Sequence, residues 1–223
     1  MSKEALKIKC EVISWDDVHE RSKRLARKIK ESGFQPDIII GLARGGWVPA
    51  RNLCDFLGVK DLVSIKMEHW GDTATKDGNA KLKHPLNINL SGRKVLIADD
   101  VADTGESLHV AKEHVKLLGS QEVKTATLNA FDSTPDNRLA DFYTDRLPWT
   151  WIVFPWNYTE DMINLMRKMV EHHERMYPDE IHKGMETYFD IKMELEDVKE
   201  FLKEAERRKK LKKHENSEHW GTF

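Results

Sequence analysis

Residues 95–107 read Val-Leu-Ile-Ala-Asp-Asp-Val-Ala-Asp-Thr-Gly-Glu-Ser, and no other stretch constrains this chain as tightly. Four apolar residues, Val95 to Ala98, fit a short buried strand. Three carboxylates follow, Asp99, Asp100 and Asp103, and then a Thr104-Gly105 turn opens a helical pattern through Glu106 and Ser107. A strand that ends in acids and passes through glycine into a helix sets two chemistries side by side. The carboxylates accept hydrogen bonds from sugar hydroxyls or help to place a hydrated cation. The amides of the turn and of the first helical residues have no intrahelical partner and sit at the positive end of the helix dipole, so they can cradle a phosphate. A ligand with vicinal hydroxyls and a phosphate, a ribose phosphate, suits both halves. Taken alone, the residues also admit a flavodoxin-like strand end whose acids hold only a metal, or nothing.

The same alternation of strand and helix runs through the first two thirds of the chain. An edge strand is expected at 8–14, then a helix capped by Ser14, with Asp16 and Asp17 in its first turn and Val18, Leu25 and Ile29 on one face up to Gly33. Asp37-Ile-Ile-Ile-Gly41 reads as a buried parallel strand, Pro49–Leu57 as a helix and Leu62–Met67 as another strand. The polar stretch 69–84 is longer than an idle loop in a compact domain. The signature strand, a helix at 105–118, a strand at 123–130 and a short strand from Trp151 to Phe154 follow. This order predicts an α/β fold, a doubly wound and mostly parallel sheet, whose ligands bind beyond the carboxyl ends of the strands. The Gly41 loop, the signature, the segment near Asp132 and the Trp151 region are all expected at that edge.

From 159 onward the pattern is helical and charged, so the chain divides into 1–158 and a C-terminal extension, 159–223. Residues 159–176 carry Met162, Leu165, Met166, Met169 and Val170 on one face, and a longer helix is expected over 187–213. Its heptad-like face of Leu195, Val198, Leu202 and Ala205 suits a bundle, a dimer contact or a cap. The basic run 207–213 reads as a solvated helix end. With 36 basic against 38 acidic residues the net charge is −2, which offers nucleic acid no general attraction. No stretch approaches the roughly 18 apolar residues of a membrane span. Cys10 and Cys54 lack metal-ligand spacing and read as reduced thiols of a cytoplasmic protein.

The run at 95–107 resembles the phosphoribosyl-pyrophosphate (PRPP) signature of type I phosphoribosyltransferases. Two further motifs extend the resemblance toward the xanthine–guanine and hypoxanthine branch. Gly41-Leu-Ala-Arg-Gly-Gly46 is similar to the pyrophosphate loop, where glycines let amides face a polyanion and Arg44 adds a charged contact. Trp151-Ile-Val-Phe-Pro-Trp156 is similar to the segment that closes the nucleobase pocket. The resemblance implies a pentosyltransferase of purine salvage that moves ribose 5-phosphate from PRPP to a 6-oxopurine. It implies Mg²⁺ as cofactor, with Asp100 holding it, and a homodimer or higher oligomer. Arg44, Gly45, Lys66, Asp99, Asp100, Asp103, Thr104, Gly105, Glu106 and Ser107 would bind PRPP, with Asp103 as the catalytic base. Trp151 and Ile152 would bind the base, and Lys76, Lys81 and Lys83 would belong to a lid over the site. A cis peptide would fall at Arg44–Gly45. The family's 6-oxopurine enzymes place a base-reading lysine where this chain has Phe131, with Asn129 and Ser133 as the polar neighbours. That departure keeps another base open, and a PRPP-binding regulator of the same fold, which the basic run 207–213 would suit, is a separate alternative.

Overall fold

The computed structural model describes residues 6–69, 80–215 and 217–223. Contacts part the chain into two compact units, one of Trp15–Trp149 and one that joins the segment up to Ser14 with Thr150–Phe223. That division differs from the change of composition at 158. Strand β1 (Cys10–Val12) belongs to the discontinuous unit, and the sheet unit begins with α1 (Trp15–Glu31).

Helix α1 buries Val18, Ser22, Leu25, Ala26 and Ile29, with Asp16 and Asp17 in its first turn and Lys28 and Lys30 in its last. Both charge placements favour the helix dipole. Then follow β2 (Ile38–Ala43), α2 (Trp47–Leu57), β3 (Leu62–His69), β4 (Ala80–His84), β5 (Lys94–Ala102), α3 (Glu106–Leu117), β6 (Glu122–Phe131) and β7 (Phe142–Leu147). The six strands form one sheet in the order β4-β3-β2-β5-β6-β7. All neighbours are parallel except β4, which runs antiparallel to β3.

Central β2 is apolar along its length because both its faces are covered. Ile38, Ile40 and Leu42 join Val95 and Ile97 of β5 in a cluster with Leu108, Ala111 and Val115 of α3. The alternate residues face the other way, where Arg21 of α1 reaches Asn129 of β6 at 2.7 Å and Ser22 meets Asn52 of α2 at 3.1 Å. The sheet is thus wound on both faces, as the sequence predicts. β4 occupies the end of the stretch read as a 69–84 loop. Its alternation of Ala80, Leu82 and lysines pairs with β3 through Met67↔Leu82 and Glu68↔Lys81.

In the second unit β8 (Trp151–Val153) pairs with β1 in parallel, Cys10 opposite Trp151 and Val12 opposite Val153. The Trp151 segment is therefore not a strand of the six-stranded sheet, contrary to expectation. Val153 and Cys10 instead enter a core with the C-terminal helices. These are α4 (Tyr158–His173), α5 (Pro178–Phe189) and α6 (Leu195–Arg207), followed by the small antiparallel pair β9 (Lys212–Lys213) and β10 (Trp220–Gly221).

The single helix expected over 187–213 is two. Pro178 starts α5 at its first position, and Asp190 ends it in the left-handed region at φ 58°. Amides of Asp190 and Ile191 then bond back to Glu186 and Met185. The heptad-like residues belong to α6, whose Val198, Leu202 and Ala205 are fully buried within this unit's own core. The basic run splits likewise. Arg207 and Arg208 both bond Glu204 at 2.6 Å, while Lys212 and Lys213 lie in β9. Among the described residues no helix is long and apolar enough to cross a membrane.

Candidate active site

Strands β2, β3, β5, β6 and β7 all end at one edge of the sheet, and the register decides which loops meet there. Gly41 pairs with Ala98 and Ala43 with Lys66, so the turn after β2 lies between Lys66 and the acids of β5. A cis peptide occurs in this turn at Ala43–Arg44, one bond earlier than the resemblance implied. The ladder with β3 runs out to Ala43, and the chain leaves the sheet at the bond that follows. Gly46 bonds back to Leu42 at 2.8 Å and Trp47 to Arg44 at 3.2 Å, which turns the chain into α2. Gly45 must lack a side chain, because a Cβ there would overlap the Asp100 carboxylate. Arg44 is exposed at the turn and Lys66 is half-buried.

β5 is longer than the four apolar residues suggested and carries both acids within the strand. The amide of Asp100 donates to Asp99 Oδ1 at 3.0 Å, and the amide of Val101 donates to Asp100 Oδ1 at 2.8 Å. Burial, and next the neighbouring Asp100 charge, push the Asp99 carboxyl well above the usual carboxylate range, against the pull of the Asp100 amide. Among the described residues no three His, Cys, Asp or Glu side chains group as a metal site. Mg²⁺ needs only one or two carboxylates when phosphates complete its shell. The Asp100 carboxylate, set against the Gly45 backbone, therefore fits Mg²⁺ as a partial site that phosphates would finish.

Asp103 and Thr104 follow β5 on the exposed surface. Gly105 stands at φ 70°, and a Cβ on it would run into the backbone of Arg138. α3 makes its first internal bond from His109 to Gly105 at 3.0 Å, so the amides ahead of it have no helical carbonyl to meet. Thr104 Oγ1 faces the Glu106 amide at 3.4 Å. The structure thus brings Arg44, Gly45, Lys66, Asp99, Asp100, Asp103 and Thr104–Ser107 to one edge.

The loop after β6 completes this edge in a way the sequence reading missed. Thr134, 1% exposed, places Oγ1 2.6 Å from the Asp103 carbonyl and 2.8 Å from that of Ala102, and accepts the Phe131 amide at 3.3 Å. Arg138 approaches Glu106, Nη1 to Oε2, at 3.5 Å. A Thr-Pro-Asp turn signal directly after a strand end was the available clue. Phe131 itself is buried, its ring 6.4 Å from that of Trp149. Asn129 is fully buried with its oxygen bonded to Arg21, whereas Ser133 is exposed.

Of the lid lysines, Lys81 and Lys83 lie in β4, while Lys76 lies outside the described residues. Lys83 pairs with Glu68 of β3 at 2.6 Å, which holds the Glu68 carboxyl below its usual range. Trp151 and Ile152 stand in β8 of the other unit, Trp151 half-buried against its helical core and Ile152 9% exposed.

The pattern of the phosphoribosyl transferase domain matches residues 14–162. A xanthine-guanine phosphoribosyltransferase of Cereibacter sphaeroides is 32% identical over 155 residues, covering 65% of this chain and 85% of that protein. A hypoxanthine-guanine phosphoribosyltransferase of Schizosaccharomyces pombe is 28% identical over 180 residues, covering 64% and 86%. The crystal structure of a purine phosphoribosyltransferase from Pyrococcus horikoshii aligns with a TM-score of 0.58 and 36% identity, over 67% of this chain and 94% of that one. With the domain pattern over more than half its length and a solved purine phosphoribosyltransferase aligned at 36% identity, this chain belongs to the phosphoribosyltransferase family, enzymes of the pentosyltransferase class.

Proposed function

We propose that this protein transfers the ribose 5-phosphate of PRPP to a 6-oxopurine (guanine, xanthine or hypoxanthine), releasing pyrophosphate, as a cytoplasmic purine-salvage enzyme that works as a homodimer or higher oligomer. The observation that carries this reading is the contact of the Arg44–Gly46 turn with Asp100. It sets a pyrophosphate-type loop against the acids that suit a ribose. The names of the relatives support a purine as acceptor.

In this reading the amides and hydroxyls of Thr104–Ser107 hold the 5′-phosphate. Arg44, the Gly45 backbone and Lys66 hold the pyrophosphate, and Lys81 lies on the strand leading from the lid. Asp99 and Asp100 accept hydrogen bonds from the ribose hydroxyls. Mg²⁺, bound through Asp100 and the substrate's phosphates, would offset the charge of the leaving group. The acceptor nitrogen displaces pyrophosphate from the ribose carbon, and exposed Asp103 takes the proton that the purine must lose.

One observation favours a second acceptor class. Phe131, buried beside Trp149, offers no hydrogen bond to a 6-oxo group, so the site would suit a base without one. The test is pyrophosphate release from PRPP and Mg²⁺ across guanine, xanthine, hypoxanthine, adenine, uracil and orotate. Turnover confined to 6-oxopurines is expected. Turnover with another base of the panel instead would assign a different acceptor, and silence across the panel with PRPP still bound would point to a regulator or to a base outside the panel.

A further inference from the structure

Glu106 is an awkward residue in its place. It is the first residue of α3, in the turn whose amides would bind the 5′-phosphate, and its side chain is 23% exposed. A carboxylate there suits an empty helix terminus. Once a phosphate dianion occupies the same turn, two like charges share one small region and repel. Arg138 stands against that carboxylate, Nη1 to Oε2 at 3.5 Å.

Arg138 comes from the β6–β7 connection, not from a helical neighbour, and its backbone is held at two points. Its amide bonds Pro135 at 2.8 Å, closing the short turn of Asp136–Arg138. Its carbonyl lies where a Cβ of Gly105 would be, so the residue packs directly on the start of α3. Thr134 ties the same loop to the peptide of Asp103. A loop fixed so closely to the phosphate turn, with its one cation beside that turn's one anion, is more than a chance surface pair.

We infer that Arg138 is a positioning residue for the phosphate subsite, acting through Glu106 by neutralising a carboxylate that would otherwise oppose the ligand. The inference rests on the reading that Thr104–Ser107 hold the 5′-phosphate. It gives each variant a definite sign. Arg138→Ala leaves the turn with an uncompensated negative charge, Glu106→Gln leaves it with an uncompensated positive one, and the double variant returns it to neutrality.

Calorimetric titration of the full chain with ribose 5-phosphate tests this. Arg138→Ala is expected to weaken binding about fivefold and Glu106→Gln to tighten it by a similar factor, the scale of a partly exposed charge pair. The double variant should fall within about twofold of wild type, a restoration that a merely structural role cannot produce. The differences should shrink between about 0.01 M and about 1 M salt. Arg138→Lys, which keeps the charge, should retain most of the affinity and serves as the probe if Arg138→Ala fails to fold. Four equal affinities would overturn the inference while leaving the phosphate reading intact. A double variant as weak as Arg138→Ala would overturn it too, because Arg138 would then act on the phosphate itself. If wild type binds no ribose 5-phosphate, the phosphate reading falls and the inference with it.

Discussion

The two units use different apolar residues, and the difference tracks what each has to hold still. The sheet core is built on branched aliphatics such as Ile38, Ile40, Ile65, Val95 and Ile97, with Met67 its one buried methionine. The helical core relies on Met162, Met166, Met169, Met176 and Met185 around Phe189. Branched side chains on a pleated strand have few rotamers, so the strand ends they fix are well placed. Methionine fills gaps adaptably and specifies position weakly. The Thr104–Ser107 turn and the acids belong to the unit with the branched core, and in the proposed reaction a displacement of an ångström there would cost much of the catalysis.

The largest expected effect separates chemistry from scaffold. Asp103→Asn should lower turnover by about 10²–10⁴-fold while PRPP affinity and the melting temperature stay near wild type, because the exposed carboxylate supports no core. Steady-state kinetics with a direct PRPP titration checks this, and unchanged turnover would remove the assigned role of general base.

Phe189→Ala addresses the helical unit. Removing a fully buried ring should cost about 3–5 kcal/mol, read by denaturant unfolding. Each unit carries one buried cysteine as its own reporter, Cys10 in the helical unit and Cys54 in the sheet unit. Burial first, then the charges of Asp161 and Asp190, push the Cys10 thiol up to about 12. Burial also raises Cys54, against the pull of Arg51. A raised thiol stays protonated near pH 8 and reacts slowly with alkylating agents while folded. Phe189→Ala should therefore speed labelling of Cys10 well ahead of Cys54. Equal acceleration of both would mean that the units open as one, and the contrast drawn between them would lose its energetic content.

The smallest effect sharpens the same contrast. Met166→Leu and Ile97→Leu each conserve volume at a fully buried site, and each should cost less than about 1.5 kcal/mol. The methionine change should be the cheaper of the two, since its core repacks more readily. A larger loss at Met166 would show that the helical core is as exacting as the sheet.

Much of the sheet unit was legible because its signals are local. Asp37–Gly41 and Val95–Ala98 are unbroken apolar runs next to glycine or acids, and α1 shows one apolar stripe between Ser14 and Gly33. β7 was missed because Phe142-Tyr-Thr-Asp-Arg-Leu147 mixes charges into an edge strand, with Asp145 pairing Arg24 of α1 at 2.7 Å. β4 was hidden by its lysines. The break between α5 and α6 escaped because Asp190, not glycine, takes the left-handed position, and the neighbouring charges read as continuous helix. In the site, the acids and glycines announce their chemistry by type and spacing. Thr134 and Arg138 do not, since their roles arise only when β6 lies beside β5, which no short window of sequence contains.

The parallel pairing of β1 with β8 has a consequence for how the chain is made. The partner of Cys10 is Trp151, and the whole of the sheet unit lies between them. During synthesis β1 emerges long before the strand it joins, so it must wait, unpaired, while the intervening sheet emerges and folds. Contacts between such distant residues close late because of the loop entropy they must overcome. Newly made chains should therefore acquire a protease-resistant sheet while β1 is still open to cleavage.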